Sequence, residues 1–251
     1  MTRYLLTLEY DGAAYAGWQR QKNAVGVQER VEEALGTLLM QKTVVYASGR
    51  TDAGVHAEGQ AAHFDAPRAL EEKRFVYSLN ALLPDDIKAR SLIPVPDDFH
   101  AQYSAKKKTY SYKIYVSETP SPLRRARFFR IAPPFDFDIF EKALAMTEGE
   151  HDFRSFGNTG SSQKTSVRTI YSAGAVKNGG EITAYITGNG FLYNMVRVVA
   201  GAALAAAKGR IALKDIADML GGAPRPIKVK TLPPHALTLV SVEYDIGDRR
   251  S

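Results

Sequence analysis

The sequence predicts an α+β protein with a mostly antiparallel sheet. Amphipathic helical runs interleave with strand-like runs in both halves, the strand-like runs come in hairpin-like pairs, and the connections are short, which argues against a doubly wound parallel sheet. With 251 residues, 45% of them hydrophobic, the chain can bury the core of one large domain or two modest ones.

Residues 3–10 alternate and are rich in Tyr, Leu and Thr, which predicts a first strand closed by the Asp11-Gly12 turn. Val27, Val31, Ala34, Leu35, Leu38 and Leu39 then recur at helical spacing, with Gln28, Glu29, Arg30, Glu32 and Glu33 on the other side. Strands are expected at 43–47 and 60–64, separated by a glycine-containing loop from Ser48 to Gly59. A helix at about 70–83 stops at Pro84, and 88–94 reads as a short strand. The second half follows the same rough order: strands 109–116 and 128–131, helix 138–148, strands 166–176 and 181–188, helices 191–207 and 213–220, and a closing strand 237–244. The division expected is an N-terminal α+β domain, 1–104, and a C-terminal α+β domain, 105–251, meeting at a basic junction after Pro94 and Pro96.

Composition removes several classes of chemistry. The absence of cysteine excludes disulfides, iron–sulfur clusters and thiolate zinc sites. His56, His63, His100, His151 and His235 are scattered and form no H-E-x-x-H pair, so no metal site is expected. His56-Ala57-Glu58 opens like a zinc deaminase signature but lacks the two later cysteines. There is no G-x-x-x-x-G-K-[ST] loop, no dinucleotide fingerprint around Gly188-Asn189-Gly190 and no G-x-S-x-G elbow, so no cofactor is expected. No apolar run approaches a membrane span and the first residues lack a signal peptide's apolar core, from which a cytoplasmic location off the membrane is expected.

The net charge of +6 is unevenly spread: residues 1–104 carry 11 basic and 14 acidic side chains, and 105–251 carry 22 and 13. Lys106, Lys107, Lys108, Lys113, Arg124, Arg125, Arg127 and Arg130 face one acid, Glu118, within 106–130, which points to a polyanionic partner. Tyr103, Tyr110, Tyr112 and Tyr115 are interleaved with the lysines; cations suit phosphates and aromatic faces suit unstacked bases, as in RNA binding. An ordinary strand with packed tyrosines and solvated lysines fits the same pattern.

The loop Ser48-Gly49-Arg50-Thr51-Asp52-Ala53-Gly54-Val55-His56 places a carboxylate and a guanidinium two residues apart between glycines. In an extended stretch Arg50 and Asp52 share one face, and a neighbouring cation keeps a carboxylate ionised for work as nucleophile or base. A loop-capping aspartate in a structural ion pair fits as well. The predicted helix from Phe191 holds Arg197 as its single charge between Leu192 and Ala207; so apolar a helix must be largely buried, and its guanidinium needs an anion. Asp52 is one candidate for that anion, a structural acid elsewhere the other.

Ordered motifs run through nearly the whole chain: Tyr10-Asp11-Gly12 with Tyr15, Gly17, Trp18 and Gln19; Val27-Gln28; GRTDAGVHA from Gly49 to Ala57; His63-Phe64; Asn80 with Leu83-Pro84; Phe99-His100-Ala101; Ser104-Ala105; Tyr110-Ser111-Tyr112; His151-Asp152-Phe153 with Ser155-Phe156; and Met195-Val196-Arg197 with Gly201. In these the sequence resembles the tRNA pseudouridine synthase A (TruA) family, whose members modify the anticodon stem-loop. The resemblance implies that Asp52 is the catalytic aspartate, Tyr110 an active-site tyrosine and Arg197 the aspartate's partner. It implies that Arg50 helps to expel and replace the target nucleotide; the basic, tyrosine-rich segment itself puts Lys106, Lys107, Lys108 and Tyr110 on the substrate side. It also implies two ferredoxin-like halves sharing a mostly antiparallel mixed sheet across a central cleft, a homodimer that holds tRNA, target uridines at positions 38–40, and no cofactor. Two departures stand out: Pro234-His235-Ala236-Leu237, where the family usually has a Gly before the Leu, and the arginine-rich 124–130 stretch, which matches no family motif. The residues by themselves leave two rivals, a non-catalytic RNA-binding module and a hydrolase using Asp52 and His56 as an acid/base pair.

Overall fold

The computed structural model describes residues 1–158 and 165–246. The chain forms two compact units: Met1–Lys106 with the described residues from Thr238 on, and Lys107–Leu237. Each is α+β with a mostly antiparallel sheet.

In the first unit β1 (Thr2–Tyr10), α1 (Val27–Leu39), β2 (Tyr46–Ala47), β3 (His56–Ala66), α2 (Glu72–Leu82) and β4 (Ile87–Val95) follow one another. β1 lies antiparallel between β4 and β3, and β2 pairs with β3 through Tyr46↔His63 and Ala47↔Ala62. The resulting order β4-β1-β3-β2 is that of a ferredoxin-like unit. Val27, Val31, Ala34, Leu35 and Leu39 are the buried stripe of α1, and the helix ends where Met40 turns left-handed (φ 54°). The Glu71 carboxylate caps α2 by accepting the Arg74 N–H (2.7 Å). The Asn80 carboxamide ties α2 to β4 by donating to Ala89 O (2.9 Å) and accepting from Ala89 N (2.7 Å).

The second unit holds β5 (Ala105–Val116), which begins at the junction, then β6 (Phe129–Ile131), α3 (Phe137–Ala145), β7 (Gly149–Asp152), β8 (Val167–Asn178), β9 (Glu181–Gly188), α4 (Met195–Ala207) and α5 (Leu213–Leu220). β9 lies antiparallel between β5 and β8, β7 extends the sheet beyond β8, and β6 runs parallel to β5. β5, α3, β8, β9 and α4 thus repeat the strand–helix–strand–strand–helix order of the first unit. Every residue of α4 except Arg197 is buried. Side chains such as Val198, Val199 and Leu204 contribute about 1.5–3 kcal/mol each to holding it there. Small residues let other chain approach: a Cβ on Gly201 would lie 2.0 Å from the Lys230 carbonyl oxygen.

The structure departs from the sequence-based boundaries at several places; β5 starts at Ala105 rather than 109, and α3 ends at Ala145 rather than 148. β2 is only Tyr46–Ala47, not 43–47, and β3 begins at His56, so the end of the expected loop is strand. α4 begins at Met195 because Asn194 is left-handed (φ 62°) and cannot continue a helix. β7 was not anticipated, since four mostly polar residues carry no periodicity and form a strand only by pairing with β8. The division falls after Lys106, and the closing strand, β10 (Leu237–Tyr244), belongs from Thr238 on with the first unit. It runs parallel to β3 (Thr238↔His56, Leu239↔Ala57), and glycine at 59, where a Cβ would sit 2.5 Å from Val240 O, admits it. Val242, Tyr244 and Ile246 then cover Leu5, Ala61, Val95, Phe99 and Ala101, and the Tyr244 hydroxyl donates to Ala101 O (2.7 Å).

Gly201→Ala is expected to destabilise the protein by about 1–3 kcal/mol or more, because the new methyl overlaps a backbone carbonyl that no rotamer change relieves. Gly174→Ala, where nothing lies within 4 Å of the new Cβ, is the matched control. Thermal melting of the two variants beside the parent measures the difference.

Candidate active site

The Asp52 loop is fixed by direct contact of one backbone with another. Gly17 adopts φ +90°, and a Cβ there would lie 2.4 Å from Thr51 O and 3.0 Å from the Asp52 carbonyl carbon. A Cβ on Gly12 would fall 1.9 Å from Val55 O. The Trp18 N–H donates to Thr51 O (3.0 Å) and the Gly54 N–H to Tyr15 O (3.3 Å). Asp52 and Val55 close a turn (Val55 N to Asp52 O, 3.1 Å) whose third residue, Gly54, has φ +78°, a left-handed position that suits glycine. Upstream, Ser48 Oγ donates to Gln60 Oε1 (2.8 Å) and Gln60 Nε2 donates to Gly49 O (3.0 Å). The buried Tyr10 hydroxyl lies 2.7 Å from Thr51 Oγ1, and burial raises its pKa. Asp52 is half-buried on this frame and Arg50 is exposed.

His56 ties the end of the loop to the Asp11-Gly12 turn. Its buried ring accepts the Gly12 N–H at Nδ1 (3.1 Å), and the same nitrogen is 3.0 Å from Asp11 Oδ1. Among the described residues, no three His, Asp or Glu side chains converge as metal ligands.

In the second unit Tyr110 sits on β5 opposite Ile186 of β9, its ring 5.2 Å from that of Phe191 and edge-on to it (84°). The other tyrosines of the basic segment divide by role. Tyr112 is buried and donates to Pro233 O (2.9 Å), and Tyr115 is buried and accepts the Ser121 N–H (2.9 Å), so both serve packing. Tyr103, in the first unit, is exposed beside His100 (4.4 Å between rings).

Arg197 lies in the first turn of α4. Its Nε donates to Leu232 O (2.6 Å) and its Nη1 to Asn194 Oδ1, while the Leu232 N–H returns a bond to Arg197 O (3.3 Å). Burial raises the Tyr112 hydroxyl pKa, and the Arg197 charge opposes that rise.

The three lysines differ. Lys106 is exposed, 3.6 Å from Asp245 Oδ2, and Lys107 stands 5.8 Å over the Tyr171 ring. Lys108 is paired with Gly188 across the sheet; burial, helped by the nearby Arg168 charge, pushes its ammonium down to about 8. In the arginine-rich stretch, Arg124, Arg125 and Arg127 are exposed, Arg124 bonding Glu181 (2.7 Å), and Arg130 donates to Ser117 O (2.9 Å) and Glu118 O (3.0 Å).

A family model described as tRNA pseudouridine synthase matches residues 7–104 and 143–245, spanning the Asp52 loop, β9 and α4. The chain belongs to the tRNA pseudouridine synthase family. It is 42% identical to tRNA pseudouridine synthase A of Ruminiclostridium cellulolyticum over 97% of this chain and 100% of that protein. The enzyme of the same name from Acetivibrio thermocellus is 41% identical over 97% and 100%, and that from Anoxybacillus flavithermus 41% over 98% and 100%. A solved Cbf5-Nop10-Gar1 complex aligns with a TM-score of 0.40 at 12% identity, over 81% of this chain and 44% of that one, too slight a likeness to bear on the fold. As a tRNA pseudouridine synthase the chain is an isomerase: the uracil N1–ribose bond breaks, a C5–ribose bond forms, and the C5 proton is lost as N1 gains one. Sequence reasoning had named Asp52, Arg50, Tyr110, Arg197 and Lys106–Lys108. It missed Phe191, Asn194 and the Leu232 carbonyl, and it quoted Tyr10 and Gly17 without seeing that they hold the loop.

Lys108 loses its proton as the pH rises through about 8, so its charge is largely present at pH 7 and largely gone at pH 9. Affinity for tRNA at constant salt is expected to fall several-fold over that interval, and Lys108→Arg, charged throughout, is expected to flatten the fall. Fluorescence anisotropy with labelled tRNA measures both; identical pH curves for the two proteins would show that the charge is not used.

Proposed function

We propose that this enzyme isomerises uridines of the tRNA anticodon stem-loop, the expected targets being positions 38–40, with Asp52 as the essential carboxylate. The observation that carries the assignment of Asp52 is the backbone frame around it: Gly17 and the Trp18 N–H hold Thr51–Ala53, and Gly12 holds Val55, without flexible side chains between. A group that must act on a base turned out of its stack needs such preorganisation, because a loop that still had to order would lose much of its rate advantage.

Asp52 acts as the nucleophile or charge partner through which the uracil is released and re-attached. Tyr110, braced by Phe191, supplies a ring against the base and a hydroxyl able to move a proton. Arg197 keeps the carboxylate ionised, and Arg50, exposed on the same loop, takes part in expelling the nucleotide. Lys106, Lys107 and Lys108 meet phosphates. No cofactor is needed, since the reaction has no net redox change or group donor. The homodimer rests on the family resemblance, and the cytoplasmic location is the expectation drawn from the sequence.

Asp52→Asn is expected to leave melting temperature and tRNA affinity close to those of the parent while turnover falls by on the order of 10³-fold or more, the scale of losing an essential catalytic group. Tritium release from C5-labelled uridine in unmodified tRNA measures it, and appreciable residual turnover would remove Asp52 from its role. Binding without any tritium release by the parent would leave an RNA-binding module.

A further inference from the structure

Among the described residues two non-glycine residues have positive φ, Met40 and Asn194. Met40 ends α1 and is exposed at the helix stop, an ordinary place for a left-handed residue. Asn194 is different. It occupies the position before the first residue of α4, where an asparagine side chain normally accepts a backbone N–H of the first turn, and it makes no such bond. Its backbone (φ 62°, ψ 6°) instead aims Oδ1 at Arg197 Nη1, three residues on. The Leu232 carbonyl takes Nε of the same guanidinium at 2.6 Å. That carbonyl belongs to a segment pressed on α4, since Leu232 N–H returns to Arg197 O and the Lys230 carbonyl lies where a Gly201 side chain would be.

Two donors of the fork are therefore held by neutral oxygens fixed to the backbone. Neutral acceptors orient a guanidinium without cancelling its charge, as a carboxylate in the same place would. We infer that Asn194 is a positioning residue for the isomerisation, whose left-handed backbone and uncharged carboxamide set the direction of the Arg197 guanidinium without themselves offsetting its positive charge. This rests on the reading of Arg197 as an active-site cation. A purely structural asparagine, present because the backbone must turn left-handed, would be replaced without loss by glycine, which adopts that conformation more easily.

The test uses the full-length protein with Asn194→Gly and Asn194→Asp, reading melting temperature, tRNA affinity and single-turnover rate on unmodified tRNA. Glycine keeps the backbone and removes the acceptor; aspartate keeps the acceptor and adds a negative charge. Asn194→Gly is expected to slow the chemical step about 10- to 100-fold, the scale found for groups that orient an active-site residue, with affinity within about threefold of the parent. Asn194→Asp is expected to be at least as slow, although its hydrogen bond survives. A parental rate in either variant overturns the inference, and Asn194→Asp decides should the glycine variant fail to fold. Arg197→Met separates the two readings: a parental rate there removes Arg197 itself from the reaction, whereas a collapse there beside an unaffected Asn194→Gly removes only Asn194.

Discussion

Where the first unit meets its carboxylate loop, no side chain stands between the two stretches of backbone. Gly17 is close enough to Thr51 and Asp52 that a methyl would overlap their main-chain atoms, and Gly12 stands in the same relation to Val55. Fixing the backbone of a loop residue costs about 1–2 kcal/mol in conformational entropy. The hydrogen bonds from Trp18 to Thr51 and from Gly54 to Tyr15 offset that cost during folding. These main-chain contacts set the conformation of the loop. Position in the chain explains how: β1 ends at Tyr10, and the segment from Asp11 to Trp18 is laid across the loop that leads into β3.

The second unit uses the same device for a cation. α4 presents Gly201 where neighbouring chain comes close, so the 230–232 segment lies against the helix backbone and offers a carbonyl to Arg197. Such a helix contributes little by way of directed bonds. Its stability comes from burying nearly its whole circumference, with its one charged side chain, half-buried at the first turn, held by Leu232 O and Asn194 Oδ1.

Elements that bury one regular face were legible in the sequence. The stripe of α1, the alternation of β9 at 181–188 and the amphipathic run of α5 at 213–220 appear at or within a residue of the expected bounds. Elements created by a partner were not: β7 exists by pairing with β8, β2 shrinks to the two residues that meet β3, and Thr238 onward joins the first unit through a parallel ladder that no local pattern announces. The site divides along the same line. Asp52, Arg50, Tyr110 and Arg197 carry distinctive side chains in distinctive motifs. The Leu232 carbonyl is a group that every residue possesses, and the role of Asn194 lies in a backbone angle, so neither has a sequence signature. The basic, tyrosine-rich segment looked uniform on paper, yet burial separates Tyr112 and Tyr115 from Tyr110, and Lys108 from Lys106 and Lys107.

That last separation shows why the two buried-side cations are different residues. An ammonium withdrawn from water gives up its proton within reach of neutral pH, as the lowered pKa of Lys108 shows. A guanidinium keeps its charge under the same desolvation and has five donors in a fixed plane. On the apolar α4, a lysine at 197 would face both losses: a proton that burial tends to remove, and a flexible stem ending in a single nitrogen to serve Leu232 O and Asn194 Oδ1 together. A permanent charge with a defined direction in such surroundings requires arginine. Lys108 on β5, opposite Gly188, carries instead a charge that responds to pH.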